Sequence, residues 1–152
     1  IEHLKSRNSL LCASLRGHTE CVELLLKHPN INLNHIDNYG ETALINATYQ
    51  GHLTITKLLL KHPLIDVNYM DQFNHKNALL WSIHTGHLTI TKLILKHPQI
   101  DINQCDLYGL TALMYSKLYK FHDIYSILLN HPQIDVEKQD IYGTCCDMLF
   151  ID

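Results

Sequence analysis

Histidine is the residue type with the most obvious chemical potential in this chain, because twelve of the 152 residues are histidines. Histidine binds metals and transfers protons near neutral pH. A zinc site, however, draws its ligands from close spacings such as Cys-x2-Cys, and the sequence contains none. Eight of the twelve instead recur at fixed places after a glycine, before a proline or in a connector. They are His18, His28, His35, His52, His62, His87, His97 and His131. Recurrence favours a structural role, so we expect no metal and no cofactor.

Aspartates at regular intervals are a second set of potentially catalytic groups. They are Asp37, Asp71, Asp106 and Asp140. Each opens a short segment such as residues 37–40, with Asp first and Gly fourth, which a type I turn prefers. The chain has no Gly-rich phosphate loop, no nucleophile elbow and no His-Glu-x-x-His motif. Because turn formation already explains the aspartates, we expect no catalytic residue and no enzymatic activity.

Composition argues against nucleic acid and membrane as partners. Fifteen acidic residues outnumber twelve basic ones, whereas a phosphate-binding domain normally carries a clustered basic excess. The longest apolar runs, such as Leu58-Leu59-Leu60, fall far short of the roughly 20 residues that span a bilayer. Five cysteines without paired spacing indicate a reducing compartment, which predicts a cytoplasmic protein. Since the chain opens with Ile1 and shows no leader, we interpret it as a fragment of a longer protein.

The elements that position these residues form a repeat of 34–35 residues. The four histidines that precede a proline are spaced 34, 35 and 34 residues apart, and the four aspartates keep the same intervals. These markers divide one domain, residues 1–152, into units at about 3–36, 37–70, 71–105 and 106–139, with a partial unit at 140–152. Helix pairs this short cannot bury an apolar face alone, so neighbouring units must stack into one core.

Each unit reads as a tip, a first helix, a second helix and a connector. Thr42 supplies a side-chain oxygen for the free amides of a first helix at 43–49, and Asn8, Asn77 and Thr111 occupy the equivalent places. Gly51 and Gly86 are typical residues for the end of that helix. A second helix at 53–61 carries an apolar stripe, and Pro63 forces it to stop near His62.

These motifs resemble the ankyrin repeat. The similarity is close in residues 37–44 (DNYGETAL), in Gly51-His52-Leu53, in Leu58-Leu59-Leu60 and in Asp66-Val67-Asn68. The resemblance covers nearly the whole chain and recurs in register. It implies an all-α solenoid of stacked helix-turn-helix units with β-hairpin-like tips, whose concave groove binds proteins. It also allows the connector residues Asn68 and Asn103 to be substrates of a hydroxylase.

Three departures from the family pattern give separate predictions. Unit three has one extra residue between Asp71 and Ala78, so its tip should bulge. Lys120 and Phe121 replace Gly-His in unit four, so a regular helix–helix turn is not predicted there. The last unit aligns best with the family pattern when one residue is treated as deleted.

Two observations predict the binding residues. Aromatic residues occupy the third tip position in four units, and the resemblance implies that this position, the fifth, and the end of the first helix face the groove. Positions that vary between units are also better candidates for specificity than positions that recur. The predicted set is Tyr39, Glu41, Tyr49, Gln50, Phe73, Asn74, His75, Lys76, His84, Thr85, Tyr108, Leu110, Leu118, Tyr119 and Tyr142. The alternative for the tip aromatics is that they pack tip against tip, and Trp81 is expected to pack between units.

The leading hypothesis is a rigid, monomeric module that binds a partner protein or peptide in its groove. The alternative is a targeting or scaffold arm of a larger protein whose catalytic or effector domain lies outside this chain. The composition of the units is rich in Asn, Ile, Lys, Tyr and His. In this it resembles the ankyrin arrays of intracellular bacteria and large DNA viruses, which contact host proteins. On that alternative the protein would act in the host-cell cytosol.

Overall fold

Paired short helices make up the computed structural model, which describes residues 7–148. The first helices of the four pairs are α1 (Ser9–Arg16), α3 (Ala43–Tyr49), α5 (Ala78–His84) and α7 (Ala112–Leu118). The second helices are α2 (Thr19–Leu26), α4 (Leu53–Leu60), α6 (Leu88–Ile94) and α8 (His122–Leu129), and a 3-10 turn follows at Cys146–Met148. Over this range the backbone forms no strand, only isolated bridges between Cys105 and Thr111 and between Gln139 and Cys145.

The helix pairs stack in two layers. Each first helix contacts the next first helix, and each second helix contacts the next second helix. One continuous core runs through the stack, with Leu10, Leu44, Leu79 and Leu113 buried at equivalent positions of the first helices. This arrangement confirms the predicted all-α solenoid. None of the helices between residues 7 and 148 is long and apolar enough to cross a membrane.

All four first helices begin at the predicted capping residue. Thr42 Oγ1 accepts from the backbone N–H of Ile45 at 3.2 Å, and Asn77 Oδ1 accepts from Leu80 at 2.9 Å. Asn8 and Thr111 make the same bond to Leu11 and Met114. Each cap satisfies one of the free amides of the first turn, which is why these short helices start at a defined residue.

The turn between the two helices of each pair needs a left-handed residue. Gly51 and Gly86 supply it with φ of 76° and 75°. In unit four Lys120 adopts φ of 58°, and the N–H of Phe121 still donates to the Ser116 carbonyl at 2.8 Å, as His52 does to Ala47. The turn of unit four is therefore regular although its sequence does not predict one, because the stacked helices hold Lys120 in a strained conformation.

The histidines before proline close the turn that ends each second helix. Nδ1 of His62 accepts from the backbone N–H of Leu64 at 3.3 Å. His28, His97 and His131 make the same bond two residues ahead, also at 3.3 Å. These contacts support the structural interpretation of the recurring histidines. In the described part of the chain, no group of three or more His, Cys, Asp and Glu side chains is placed to hold a metal ion.

Connectors of neighbouring units are joined by asparagine side chains. Nδ2 of Asn34 donates to the Leu64 carbonyl at 2.8 Å, and its Oδ1 accepts from the N–H of Asp66 at 2.9 Å. Asn68 and Asn103 repeat this pair of bonds one and two units further on. The connectors therefore form a ladder that holds the units at a constant spacing.

Candidate protein-binding groove

Aspartate side chains organise the tips that form one wall of the groove. Oδ1 of Asp37 accepts from the backbone N–H groups of Tyr39 and Glu41 at 2.9 and 3.0 Å. Asp106 and Asp140 hold their tips by the same pair of bonds. The predicted turn role of these aspartates is confirmed. It places the aromatic third residue of each tip at the outer end of the turn.

The tip of the last unit has the standard length. Gln139 and Cys145 form a bridge with the same spacing as the bridge between Cys105 and Thr111. Gly143 has φ of 76°, like Gly109 with 77°. Cys145 thus stands where Thr111 stands in unit four, and the predicted one-residue deletion is wrong for this tip. The later part of the unit, from residue 149, lies outside the described residues.

The extra residue of unit three lengthens its tip. The N–H of Asp71 donates to the Lys76 carbonyl five residues ahead, whereas the N–H of Asp37 donates to Glu41 four residues ahead. His75 adopts φ of 49° at the place of the tip glycine. The predicted bulge is therefore present. It makes Lys76 the sixth residue of its tip, directly before the cap residue of α5, where Glu41 is the fifth residue of the tip of unit two.

The second carboxylate oxygen of three tip aspartates binds a large side chain. Oδ2 of Asp71 accepts from Trp81 Nε1 at 2.8 Å, and Oδ2 of Asp106 accepts from the Tyr115 hydroxyl at 2.6 Å. In unit two, Oδ2 of Asp37 accepts from Nε of Arg7 at 2.7 Å. These bonds fix the rotamers of side chains that point from the first helices towards the tips. Burial and the hydrogen bond to Asp106 together raise the pKa of Tyr115.

An aromatic belt runs along the first helices of units two to four. We define it by six residues whose neighbouring ring centroids lie 5.1 to 6.0 Å apart, namely Tyr49, Trp81, His84, Tyr115, Tyr119 and Phe121. Such separations suit edge-to-face and stacked contacts. The Tyr119 hydroxyl and Nδ1 of His84 are also joined by a 2.8 Å hydrogen bond. Burial and the nearby Lys76 charge lower the pKa of His84, which favours a neutral ring that accepts this bond.

Lys76 lies inside the belt. Its Nζ is 5.0 Å from the ring centroids of both Trp81 and Tyr115, and the residue is only 7% exposed. Ring faces attract an ammonium group, and they hold it more strongly when water is excluded. Burial lowers the pKa of Lys76, and the charges of Asp106 and Asp71 oppose that effect. The groove floor therefore contains a charged group enclosed by aromatic rings.

Glu41 is the other electrostatically unusual group. Burial raises its pKa, and the negative charges of Asp37 and Asp71 add to the effect. Arg7, whose Nη2 lies 3.8 Å from Oε2 of Glu41, and a hydrogen bond with Asn46 oppose this rise in pKa. The residue directly before the capping residue is Arg7, Glu41 and Lys76 in units one, two and three. Charge at this position therefore alternates from positive to negative to positive along the groove.

The structure brings together some of the predicted site residues. Tyr49, Lys76, His84 and Tyr119 form one connected group, and Tyr39 contacts Phe73 with ring centroids 5.9 Å apart. Glu41 lies between the aspartates of two tips. Tyr108, Tyr142 and Leu118 are exposed, and Leu110 packs partly against the core. The set of groove residues as a whole stays a prediction.

The remaining predicted residues lie at element ends. Gln50 and Thr85 cap the carboxyl ends of α3 and α5, and the Thr85 hydroxyl donates to the Trp81 carbonyl at 2.8 Å. His75 and Asn74 are exposed in the long tip, where the Asn74 carbonyl accepts from the N–H of Leu107 at 3.3 Å. These contacts link the tips of units three and four.

Sequence reasoning assigned Trp81 to packing between units and did not select Tyr115. Trp81 does pack between units, because its ring meets that of Tyr49 in unit two. It also belongs to the belt. Asn46, Trp81 and Tyr115 occupy one equivalent position of the first helices, four residues or about one turn after the capping residue. Variation at this position, from amide to indole to phenol, was a signal that could have selected it.

A comparison with family models agrees with this architecture. The model described as ankyrin repeats (three copies) matches residues 2–71 and 62–140. No curated protein matches the chain. The two matched segments together include all four described helix pairs and their connectors. The chain therefore belongs to the ankyrin-repeat family.

Proposed function

We propose that this chain binds a partner protein or peptide in the groove formed by its tips and first helices. Ankyrin repeats are generally protein–protein interaction modules. The observation that carries the proposal is the aromatic belt, in which Tyr49 is 47% exposed although its ring is fixed against Trp81. Large, rigid and partly polar rings at the centre of a surface are typical of binding hot spots.

Preorganisation is the physical advantage of this groove. Asp71 and Asp106 hold Trp81 and Tyr115 through hydrogen bonds, and the capped first helices rest on a continuous core. Immobilising a flexible side chain on binding costs about 0.5–1.5 kcal/mol, so side chains that are already fixed lose less. The chain does no chemistry of its own in this proposal. The five cysteines, all free, support a reducing compartment such as the cytosol.

The alternative role, a targeting or scaffold arm of a larger protein, would use the same groove. It differs in what lies outside the chain, so the full reading frame distinguishes the two. In either case we propose a monomer with one protein partner at a time.

Two groove variants test the proposal in affinity capture from cytosolic extract with quantitative mass spectrometry. The belt variant combines Tyr49→Ala, His84→Ala and Tyr119→Ala, and the tip variant combines Tyr39→Ala, Phe73→Ala and Tyr108→Ala. A matched control combines Leu64→Ala, Ile127→Ala and Leu129→Ala, which are exposed apolar residues outside the belt and tips. Loss of the same proteins with both groove variants, and their retention by the control, is expected. Unchanged capture by folded groove variants would contradict the proposal.

A further inference from the structure

We propose that Lys76 anchors an acidic side chain of the bound partner. This inference rests on the proposed function, because it names the chemistry that the same groove recognises. It starts from the position of the ammonium group, which sits between Trp81 and Tyr115 at the floor of the aromatic belt.

The ammonium of Lys76 has no hydrogen-bond acceptor within residues 7–148. Of the three ion pairs found there, two involve Arg7 and one involves Lys92. Ammonium groups have three N–H donors, and an aromatic face attracts the charge without replacing an oxygen acceptor. Burying such a group without acceptors costs free energy. Water on the open side of the groove is therefore its acceptor in the free protein, and a partner oxygen would take the place of that water.

The two carboxylates nearest to Lys76 are already engaged. Oδ2 of Asp71 accepts from Trp81 at 2.8 Å and from the backbone N–H of Lys76 at 3.3 Å. Oδ2 of Asp106 accepts from the Tyr115 hydroxyl at 2.6 Å. Both carboxylates attract the ammonium through space, and the other titratable groups beside it are His84 and Tyr115. Neither aspartate accepts a hydrogen bond from the ammonium, so its acceptor comes from outside residues 7–148.

Arg7 occupies the equivalent position in unit one, and there the charged side chain has an acceptor within the protein. Arg7 and Lys76 both directly precede the capping asparagine of a first helix. Nε of Arg7 donates to Oδ2 of Asp37, the tip aspartate of the next unit, at 2.7 Å. The equivalent oxygen for Lys76 is Oδ2 of Asp106, which accepts from the Tyr115 hydroxyl instead. Tyr115 thus makes in unit four the bond to the tip aspartate that Arg7 makes in unit two.

A partner atom can reach the ammonium. Among the described residues, two side-chain polar atoms are fully enclosed and lack a hydrogen-bond partner, namely the hydroxyls of Ser14 and Thr48. Nζ of Lys76 also lacks a partner but is not fully enclosed. The belt residues around it include Tyr49 and His84, which are exposed. The ammonium is therefore accessible from the groove on its open side.

A carboxylate suits this site better than a neutral oxygen. Hydrogen bonds between charged groups are roughly twice as strong as neutral ones. The charge of each neighbouring aspartate is spread over several N–H and O–H donors, which weakens the repulsion that an incoming carboxylate meets. We therefore assign the partner an aspartate or glutamate that enters between Trp81 and Tyr115, with its flanking residues against the belt.

Random peptides displayed on phage test the inference when selected in parallel against the intact chain and its Lys76→Met variant. The peptides are joined to the coat protein at their carboxyl ends, so any selected carboxylate is a side chain. The intact chain should enrich peptides with Asp or Glu at one position, and Lys76→Met should not. A synthetic peptide from this selection should bind the intact chain about tenfold more weakly after its acid is changed to the amide. The same change should not alter its affinity for Lys76→Met.

The outcomes separate the two proposals. Groove binding of peptides that lose no affinity on the acid-to-amide change would overturn the role of Lys76 and leave the proposed function intact. Selected peptides that bind equally to the belt variant, or no selected peptides, would overturn the proposed function and this inference with it. On the intact chain the acid-to-amide comparison uses only the unaltered protein, so that part of the test does not depend on the folding of Lys76→Met.

Discussion

Asn68 bonds the connector of the next unit through both atoms of its side-chain amide. Its Oδ1 accepts from the backbone N–H of Asp101 at 2.8 Å, and its Nδ2 donates to the Gln99 carbonyl at 2.7 Å. The two bonds join residues 31 and 33 positions apart in the chain. They therefore couple unit two to unit three independently of helix packing.

Removal of this amide should weaken the stack. Asn68→Ala loses two hydrogen bonds at a partly exposed site, which predicts a loss of roughly 1–2 kcal/mol in the free energy of unfolding. Urea unfolding followed by circular dichroism measures the loss. Asn30→Ala, an exposed asparagine outside the ladder, is the control and should change stability by less than about 0.5 kcal/mol. Equal effects of the two changes would show that the ladder contributes nothing to stability.

Alanine substitutions at Gly51 and Gly86 distinguish the effect of backbone strain from that of packing. Both are left-handed, with φ of 76° and 75°, so alanine costs each about 1 kcal/mol in strain. A Cβ at Gly51 would lie 2.7 Å from Cε1 of His87, whereas a Cβ at Gly86 would lie 3.7 Å from Cζ of Phe121. Gly51→Ala should therefore destabilise the protein by at least about 1 kcal/mol more than Gly86→Ala. Thermal and urea unfolding of the two variants measure the difference, and equal losses would rule out the His87 contact as its cause.

His75 and Lys120 are the non-glycine residues with positive φ in the described chain, at 49° and 58°. Glycine at either position removes the steric penalty of the side chain, so His75→Gly and Lys120→Gly should each stabilise the protein by roughly 0.5–1 kcal/mol. Gln50→Gly is the matched change at a right-handed residue, with φ of −81°, and should destabilise it. Urea unfolding gives all three values. Destabilisation by His75→Gly would mean that its side chain contributes more than the strain costs.

Glu41 should make stability depend on pH. Its pKa is raised in the folded protein, so the folded state holds its proton more tightly than the unfolded state does. The charged carboxylate is then a destabilising group at neutral pH, and this effect disappears as the pH falls below its ordinary value of 4.5. Glu41→Gln should raise the free energy of unfolding at neutral pH by about 0.5 kcal/mol and leave it nearly unchanged in acid.

The matched control for that change is Glu23→Gln, at an exposed position of α2. Urea unfolding at neutral and acidic pH gives the two differences. A Glu41→Gln variant that is less stable than the parent at neutral pH would show that the contact with Arg7 outweighs burial and the repulsion by Asp37 and Asp71.

Several features of the fold could be predicted because they depend on residues close together in the chain. Thr42 caps a helix three residues ahead, and Asp37 holds a turn four residues long. Pro63 ends a helix at the residues just before it. Such local preferences are repeated at a constant interval, so the period, the element order and the stacked architecture followed from the sequence alone.

The site depends on distances that no local rule supplies. Lys76, Trp81 and Tyr115 meet only because unit four stacks on unit three, and the position of Lys76 follows from one extra residue in its tip. The attraction between Asp106 and the Lys76 ammonium is likewise an interaction between units. The left-handed conformation of Lys120, which glycine adopts at the equivalent turns, also depends on tertiary structure.

The sequence by itself thus determined which residues form helices, turns and caps, since each of these is a short-range hydrogen-bonding or steric preference. Only the tertiary structure decided which side chains of different units share the groove floor and which of their polar atoms remain without a partner. The reason is that burial and charge pairing depend on how adjacent helix pairs pack, and packing is a property of several units together.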